Sequence, residues 1–235
     1  MRYYRFLSSP FLFILISAVA IFYSCKEYDR SEKVTEGYIV YDIEYMDDSL
    51  NRIVKSVLPN EMKVKFKNNS IKNQMEGFSN FFNFTHIKNT NENTNTTLLT
   101  ILDKKYKYTE KINDPSIFFK DRPDIQIEYT DEEKKIAGYN CKKIKIVLPG
   151  NNNDSEKFNV YYTDSILIEG FNSHTPFRSI EGVLMEFQLD FYDIPMKLKA
   201  KEVKEREIPP EEFEISDEYQ PINKKTMEEI IALLK

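Results

Sequence analysis

Apolar and polar residues alternate with a period of two along most of the chain, beginning at Gly37. Alternate residues from Gly37 to Tyr45 fall on one face of the first segment, whereas Asp42 and Glu44 fall on the other. The segment 62–66 repeats the pattern, with lysines between its apolar residues. Because successive side chains of a strand point to opposite faces, this period predicts β-strands. Further strands are predicted at 70–78, 80–87, 97–102, 104–109, 124–129, 138–148, 157–163, 181–191 and 196–203.

Short polar segments separate most of the predicted strands. Asn68-Asn69, Asp103-Lys104 and Asn151-Asn152-Asn153 are typical of tight turns, and such short links favour hairpins over crossover helices. The sequence therefore predicts a mainly β fold with an antiparallel sheet. The polar, low-complexity segment 89–97 is interpreted as an exposed loop.

The largest one-sided apolar stripe lies on the strand predicted at 181–191. It consists of Val183, Met185, Phe187, Leu189 and Phe191. One helix is predicted at 224–234, because Asn223 is a suitable N-cap and apolar residues recur there with helical spacing. The helical stripe consists of Met227, Ile230, Ile231 and Leu234. Two interpretations stay open: the helix packs on the sheet and completes the core, or it covers a ligand cavity.

The first 25 residues have the pattern of an export signal. Arg2 and Arg5 supply a positive start, and an uncharged apolar run follows at 11–22. A membrane-spanning helix needs about 20 apolar residues, so this run is better suited to a cleaved signal. Its junction with Cys25 resembles a lipobox, which implies that residues 1–24 are removed and that Cys25 carries lipid.

A charged tether without apolar periodicity follows the cysteine. The sequence thus predicts a lipoprotein signal peptide at 1–24, a tether at 25–35 and a single antiparallel β domain at 36–235. The start of the tether, Lys26-Glu27 with Asp29, resembles the surface-export signal of Bacteroidota lipoproteins. The resemblance implies an outer-membrane protein anchored by lipid, and either the periplasm or the cell surface remains open for the domain.

The net charge limits the partners that the domain can bind, and the cysteine content limits its disulfides. The formal net charge is −5, and loss of two arginines with residues 1–24 makes it −7. Nucleic-acid binding needs a clustered basic face, whereas the lysines here alternate with acidic residues, so no nucleic-acid partner is expected. Lipidation of Cys25 leaves Cys141 as the other cysteine, which rules out an intrachain disulfide.

Four segments of the chain carry a family resemblance. They are KKIAGYNCKKIKI (134–146), VYYTDSI (160–166), IEGVLMEF (180–187) and KAKEV (199–203). They resemble uncharacterised Bacteroidota envelope families, a wider group that includes the GLPGLI family, whose own motif is replaced here by IEGVLM. The resemblance implies a fold similar to that of the lipoprotein-localisation carriers, a curved antiparallel half-barrel with helices against its concave side.

Structural roles are expected for the residues of the first motif. Gly138 is expected to give backbone room at a strand start, and Tyr139 to act as an aromatic anchor. Cys141 is expected to be a small buried side chain.

Catalytic patterns in the sequence are weak. The segment 77–81 (GFSNF) lacks the second glycine of a nucleophile elbow. A thiol–imidazole pair of Cys141 with His86 or His174 is an alternative to a packing role for the cysteine. Two histidines and one cysteine do not make a standard zinc site, and no glycine loop of the phosphate-binding type is present. The sequence therefore predicts a non-enzymatic protein without cofactor or metal.

Two short segments match an O-glycosylation pattern of Bacteroidota envelope proteins. They are Asp48-Ser49-Leu50 and Asp164-Ser165-Ile166. Only an exposed acceptor is relevant, because a glycan is bulky. Modification of Ser49 or Ser165 stays open.

Two function classes remain. In the first, the domain binds an apolar ligand, a lipid or an acyl chain, between the stripe at 183–191 and the helix at 224–234. In the second, it is an interaction or structural module that binds another envelope protein or a glycan through its aromatic-rich surface. The fold resemblance favours the first class, although a fold by itself does not define a function.

Overall fold

The structure is a computed structural model, and it describes residues 33–50, 52–68, 70–80, 82–114, 125–148, 156–191 and 193–232. The predicted signal segment 1–24 and the predicted lipidation site Cys25 lie outside these residues. Val34 was assigned to the tether by the sequence analysis, but it is buried and pairs with Ile166 in a short parallel bridge. The folded domain therefore includes Val34, because its apolar side chain packs in the core.

Twelve strands and two helices make up the described fold. The strands are β1 (Glu36–Tyr45), β2 (Glu61–Lys67), β3 (Ser70–Glu76), β4 (Phe82–Asn89), β5 (Thr94–Ile101), β6 (Lys104–Lys111), β7 (Gln126–Ile136), β8 (Tyr139–Leu148), β9 (Glu156–Thr163), β10 (Val183–Phe191), β11 (Ile194–Glu205) and β12 (Gln220–Pro221). The helices are α1 (Arg52–Val57) and α2 (Lys224–Ala232).

All twelve strands belong to one open, curled sheet. Its order is β12-β6-β5-β4-β3-β2-β1-β11-β10-β9-β8-β7. Neighbouring strands are antiparallel, except that β12 runs parallel to β6. The predicted mainly β fold with a curved antiparallel sheet and a C-terminal helix is confirmed, and the sheet does not close into a barrel.

One turn shows why the chain needs a glycine at 138. Ala137 and Gly138 connect β7 to β8, with φ values of 49° and 84°. These two positive φ values are those of the tight hairpin turn whose twist matches the flanking strands. A Cβ atom at Gly138 would meet nothing within 4 Å, so the expected need for backbone room is wrong. The glycine is required by its φ angle instead.

The segment predicted as an exposed loop at 89–97 is largely strand. Strand β5 begins at Thr94, and the side chains of Asn95 and Thr97 are only 1% and 3% exposed. Exposed turn residues are confined to the tip at 90–93. The prediction was wrong because threonine favours strands and because the polar side chains of β5 face a partly polar interior.

Helix α2 begins where the sequence predicts. The backbone N–H of Thr226 donates to Asn223 Oδ1 at 2.9 Å, which confirms the predicted N-cap. Met227 and Ile231 are buried, Ile230 is half-buried, and the helix packs against β6. Leu234 lies outside the described residues. The helix therefore belongs to the core, in agreement with one of the two interpretations left open by the sequence.

Candidate functional site

The segment between β9 and β10, residues 164–182, packs against one face of the sheet and is called the β9–β10 loop. Phe177 of this loop is buried, and its ring meets that of Phe187 edge to face with centroids 6.3 Å apart. The side-chain amide of Asn172 donates to the carbonyl of Ile180 at 2.7 Å. The loop is thus held by packing and by its own hydrogen bonds, and it forms one wall of the interior.

Lys88 connects the loop to the sheet. From β4 its Nζ donates to the carbonyl oxygens of Glu169 at 3.2 Å and Gly170 at 3.0 Å, and to Ser173 Oγ at 3.4 Å. The side chain is buried, and burial lowers the pKa of its ammonium group. Because three acceptors surround the ammonium group, Lys88 fixes the position of the loop over β4.

Between the sheet and this loop lies a cavity of about 80 Å³, called the central cavity. The register places Met62, Met75 and Phe84 side by side on three neighbouring strands, and all three line it. Across from them, Phe191 packs against Phe84 edge to face with ring centroids 4.9 Å apart. The other apolar residues of the lining include Leu184, Phe187, Leu189 and Met196.

One end of the central cavity is polar. The next two residues along the same face of β4 after Phe84 are His86 and Lys88, and both line the cavity. Asn73 is paired with His86 in the register of β3 and β4. His174 reaches the same end from the β9–β10 loop. The cavity is therefore amphipathic, with an aromatic and methionine-rich body and a basic polar end.

The two histidines face each other across the gap between sheet and loop. Their ring centroids are 5.9 Å apart. The amide Nδ2 of Asn95 donates to His174 Nε2 at 2.9 Å, so this nitrogen accepts and the neutral ring carries its proton on Nδ1. Burial, with smaller contributions from His174 and Lys88, lowers the pKa of His86 to about 3. Burial also lowers the pKa of His174, so both rings are neutral at neutral pH.

Only part of the predicted ligand-binding stripe lines the central cavity. Phe187, Leu189 and Phe191 do so, whereas Val183 and Met185 are fully buried elsewhere. The pairing of β10 with β9 skips a residue between Leu184 and Glu186. This β-bulge breaks the strict alternation, so Leu184 takes the place that the sequence analysis gave to Val183 and Met185.

The predicted cover of the cavity also differs. Among the described residues of α2, neither Met227 nor Ile230 nor Ile231 lines the central cavity. Residues 171–175 of the β9–β10 loop line it instead. No periodic pattern of apolar residues marks that loop in the sequence. One face of β4, by contrast, carries a signal for a partly polar interior, in the run Phe82, Phe84, His86 and Lys88.

Cys141 has the expected packing role. Its side chain is fully buried, and Sγ donates to the carbonyl of Tyr139 at 3.4 Å. Burial raises the pKa of the thiol to about 11, which keeps it protonated. Tyr139 is buried as predicted. The alternative of a thiol–imidazole pair has no support, because His86 and His174 contact each other at the cavity, which Cys141 does not line.

A groove on the surface lies beside the edge strand β7. Tyr129 and Leu167 are 62% and 51% exposed, which is unusual for large apolar side chains in this fold. Together with Lys33, Tyr162 and Asp164 they line an open groove of about 430 Å³. This groove is polar and wide, in contrast to the central cavity.

Comparisons with known proteins give no relative for this chain: no protein-family model matches it, and neither does any curated protein. Within the part of the chain that the structure describes, no helix is long and apolar enough to cross a membrane. Within the same residues, no three histidine, cysteine or carboxylate side chains lie close enough to hold a metal ion.

Proposed function

We propose that this chain is a lipid-anchored protein of the bacterial envelope whose β domain binds a compact apolar ligand in the central cavity. The observation that carries the proposal is the cavity itself, lined by Phe84, Phe187 and Phe191 beneath the β9–β10 loop. The anchor follows from the export signal and Cys25 in the sequence. We propose ligand binding without catalysis, because the thiol of Cys141 is buried and protonated and does not line the cavity.

The size of the cavity limits the ligand. A single water needs about 10–15 Å³ of such space, so about 80 Å³ accepts roughly five to eight groups of that size. Three methionines line the cavity, and their flexible side chains can adapt to ligands of different shape. The proposal is therefore a short-chain or single-ring ligand rather than a long acyl chain.

The expected affinity follows from the transfer of apolar groups. Burial of a methylene group contributes about 0.8 kcal/mol, so a ligand body of about five apolar carbons contributes about 4 kcal/mol. This free energy corresponds to a dissociation constant of about 1 mM for the apolar body alone. Polar contacts at the basic end of the cavity add to this value.

The test uses the methionines as reporters. The full-length chain, labelled with ¹³C-methyl methionine and placed in phospholipid nanodiscs, is titrated with 1-hexanol. The methyl signals of Met62, Met75 and Met196 are expected to shift and to saturate, since these side chains line the cavity. The signals of the exposed Met46 and of Met227 in α2 are expected to stay in place. Equal shifts at all five methionines, or none, would contradict the proposal.

A matched pair of variants sharpens this test. Phe191→Ala enlarges the central cavity, whereas Phe78→Ala removes a ring that is 70% exposed. The first variant is expected to bind 1-octanol more tightly than the wild-type chain does, because the added space accepts two more methylenes. The second is expected to bind like the wild type. An unchanged preference in Phe191→Ala would place the ligand elsewhere.

A second candidate function rests on the groove beside β7. Its exposed Tyr129 and Leu167 are typical of an interface centre, where aromatic side chains dominate binding. In this alternative the domain docks onto another envelope protein or a glycan. Tyr129→Ser with Leu167→Ser is expected to abolish capture of such a partner in envelope cross-linking while leaving hexanol binding unchanged.

A further inference from the structure

The side chains at the basic end of the central cavity indicate which polar group the ligand carries in addition to its apolar body. Three basic side chains, His86, Lys88 and His174, line this end. Among the described residues, no aspartate or glutamate lines the cavity. Both histidines are neutral, so the positive charge at this end comes from Lys88, and that charge favours an anionic group on a ligand.

Two polar side chains at this end have no side-chain hydrogen-bond partner among the residues that the structure describes. His86 and Asn73 are paired across β3 and β4, and both line the cavity. Neither makes a side-chain hydrogen bond with the described residues, whereas His174 is bonded to Asn95 and Lys88 to the β9–β10 loop. Both side chains are half-buried, and polar groups shielded from water in proteins are normally hydrogen-bonded. His86 and Asn73 thus offer an imidazole and an amide N–H donor to a ligand.

We infer that the ligand is a compact monocarboxylic acid, with its apolar body among Phe84, Phe187 and Phe191 and its carboxylate at His86 and Asn73. This inference rests on the proposed function, since it assigns the polar end of the same cavity. Asn73 Nδ2 and one ring nitrogen of His86 donate to the two carboxylate oxygens. Lys88, two residues from His86 on the same face of β4, supplies positive charge without having to leave the β9–β10 loop.

The fit is specific for an acid over a neutral compound of equal size. An alcohol presents one neutral oxygen to the two donors, and it brings no negative charge to pair with that of Lys88. Hydrogen bonds to a charged group are about twice as strong as neutral ones. The wild-type chain is therefore expected to bind hexanoate at least about 10-fold more tightly than 1-hexanol, the lower end of what such a bond contributes.

The test compares these two ligands on the full-length chain in nanodiscs, with empty nanodiscs as the blank. Dissociation constants come from the methyl signals of Met62, Met75 and Met196. His86→Phe and Asn73→Leu keep the side-chain size and remove the donors. Each is expected to reduce the hexanoate-to-hexanol preference to less than about 3-fold while hexanol affinity changes little, because neutral contacts are weaker. Asn159→Leu, an exposed change on β9, is the matched control and should keep the full preference.

The outcomes separate the two proposals. Saturable hexanol binding with no preference for hexanoate in the wild-type chain overturns this inference and leaves the proposed function standing. Failure of both ligands to shift the cavity methionines overturns both. A preference that survives in His86→Phe and Asn73→Leu also overturns the assigned carboxylate site. The wild-type comparison decides the question even if one variant does not fold, and retained hexanol binding shows which variants are folded.

Discussion

Acidification should destabilise this domain through His86, which lies half-buried at the central cavity, well above the pH at which carboxylates titrate. In the unfolded chain a histidine has a pKa near 6.5, whereas burial lowers the pKa of His86 in the fold to about 3. Between these two pH values, the unfolded state therefore binds a proton on His86 and the folded state does not. The contribution of His86 to the free energy of unfolding is fully present above the pKa of the unfolded state. It is lost as the pH falls through the interval between the two pKa values.

The magnitude follows from the two pKa values. Each pH unit within the interval costs about 1.4 kcal/mol for one such histidine. Between about pH 7.5 and pH 5.0 the free energy of unfolding should fall by about 2 kcal/mol because of His86, after allowing for the curvature near pH 6.5. His174, whose pKa is also lowered by burial, adds to the same slope.

Urea denaturation of the wild-type chain and of His86→Gln at these two pH values measures the effect. The variant is expected to keep only the part of the slope that belongs to His174, because glutamine does not titrate. Carboxylates with lowered pKa values, such as those of Glu36 and Glu212, lose their charge at lower pH and leave this window unaffected. Equal slopes for the two chains would refute the burial of His86 at the cavity.

Three further predictions concern single positions. Cys25→Ser is expected to abolish labelling with palmitate and to release the protein from membranes; membrane-bound protein that still takes up label would refute the anchor. The thiol of Cys141 should resist alkylation in the folded chain and react only after denaturation, as followed by mass spectrometry, and rapid native modification would contradict its raised pKa. Gly138→Ala should lower the free energy of unfolding by about 1–2 kcal/mol, since its φ of 84° is unfavourable for other residues; an unchanged urea midpoint would contradict the hairpin turn.

The sheet could be predicted because its strands follow a simple rule. Alternation of apolar and polar residues marks a strand with one buried face, and β2, β11 and the second half of β1 follow it. Strand β5 does not, since its inner face includes Asn95 and Thr97 where a leucine or valine would signal burial. Helix α1 was missed because its six residues are too few to show a helical period.

Only part of the central cavity could be predicted from the sequence, because only part of its lining follows a periodic pattern. Phe187, Leu189 and Phe191 belong to a visible stripe, and they line the cavity. The bulge beside Met185 leaves no mark in a single sequence, because it depends on how β10 pairs with β9. The cover had no periodic pattern either, since the β9–β10 loop is held by contacts distant in sequence, such as those of Lys88.

The β9–β10 loop, and not α2, covers the central cavity, so a C-terminal truncation is not a test of ligand binding. If α2 were a lid, its removal would expose the cavity and leave the rest of the fold intact. Met227 and Ile231 are instead buried in the common core, so removal of the helix takes away part of that core. A substitution in the β9–β10 loop or at Lys88 is therefore the appropriate way to open the cavity.

An experimental electron-density map of the chain crystallised with hexanoate shows most directly whether the central cavity binds a carboxylic acid. Density is expected for one molecule inside the central cavity, with its chain between Phe84 and Phe191 and its carboxylate within hydrogen-bond distance of His86 and Asn73. A map in which the cavity is empty and the hexanoate lies only on the outer surface, for example in the groove at Tyr129, would contradict it.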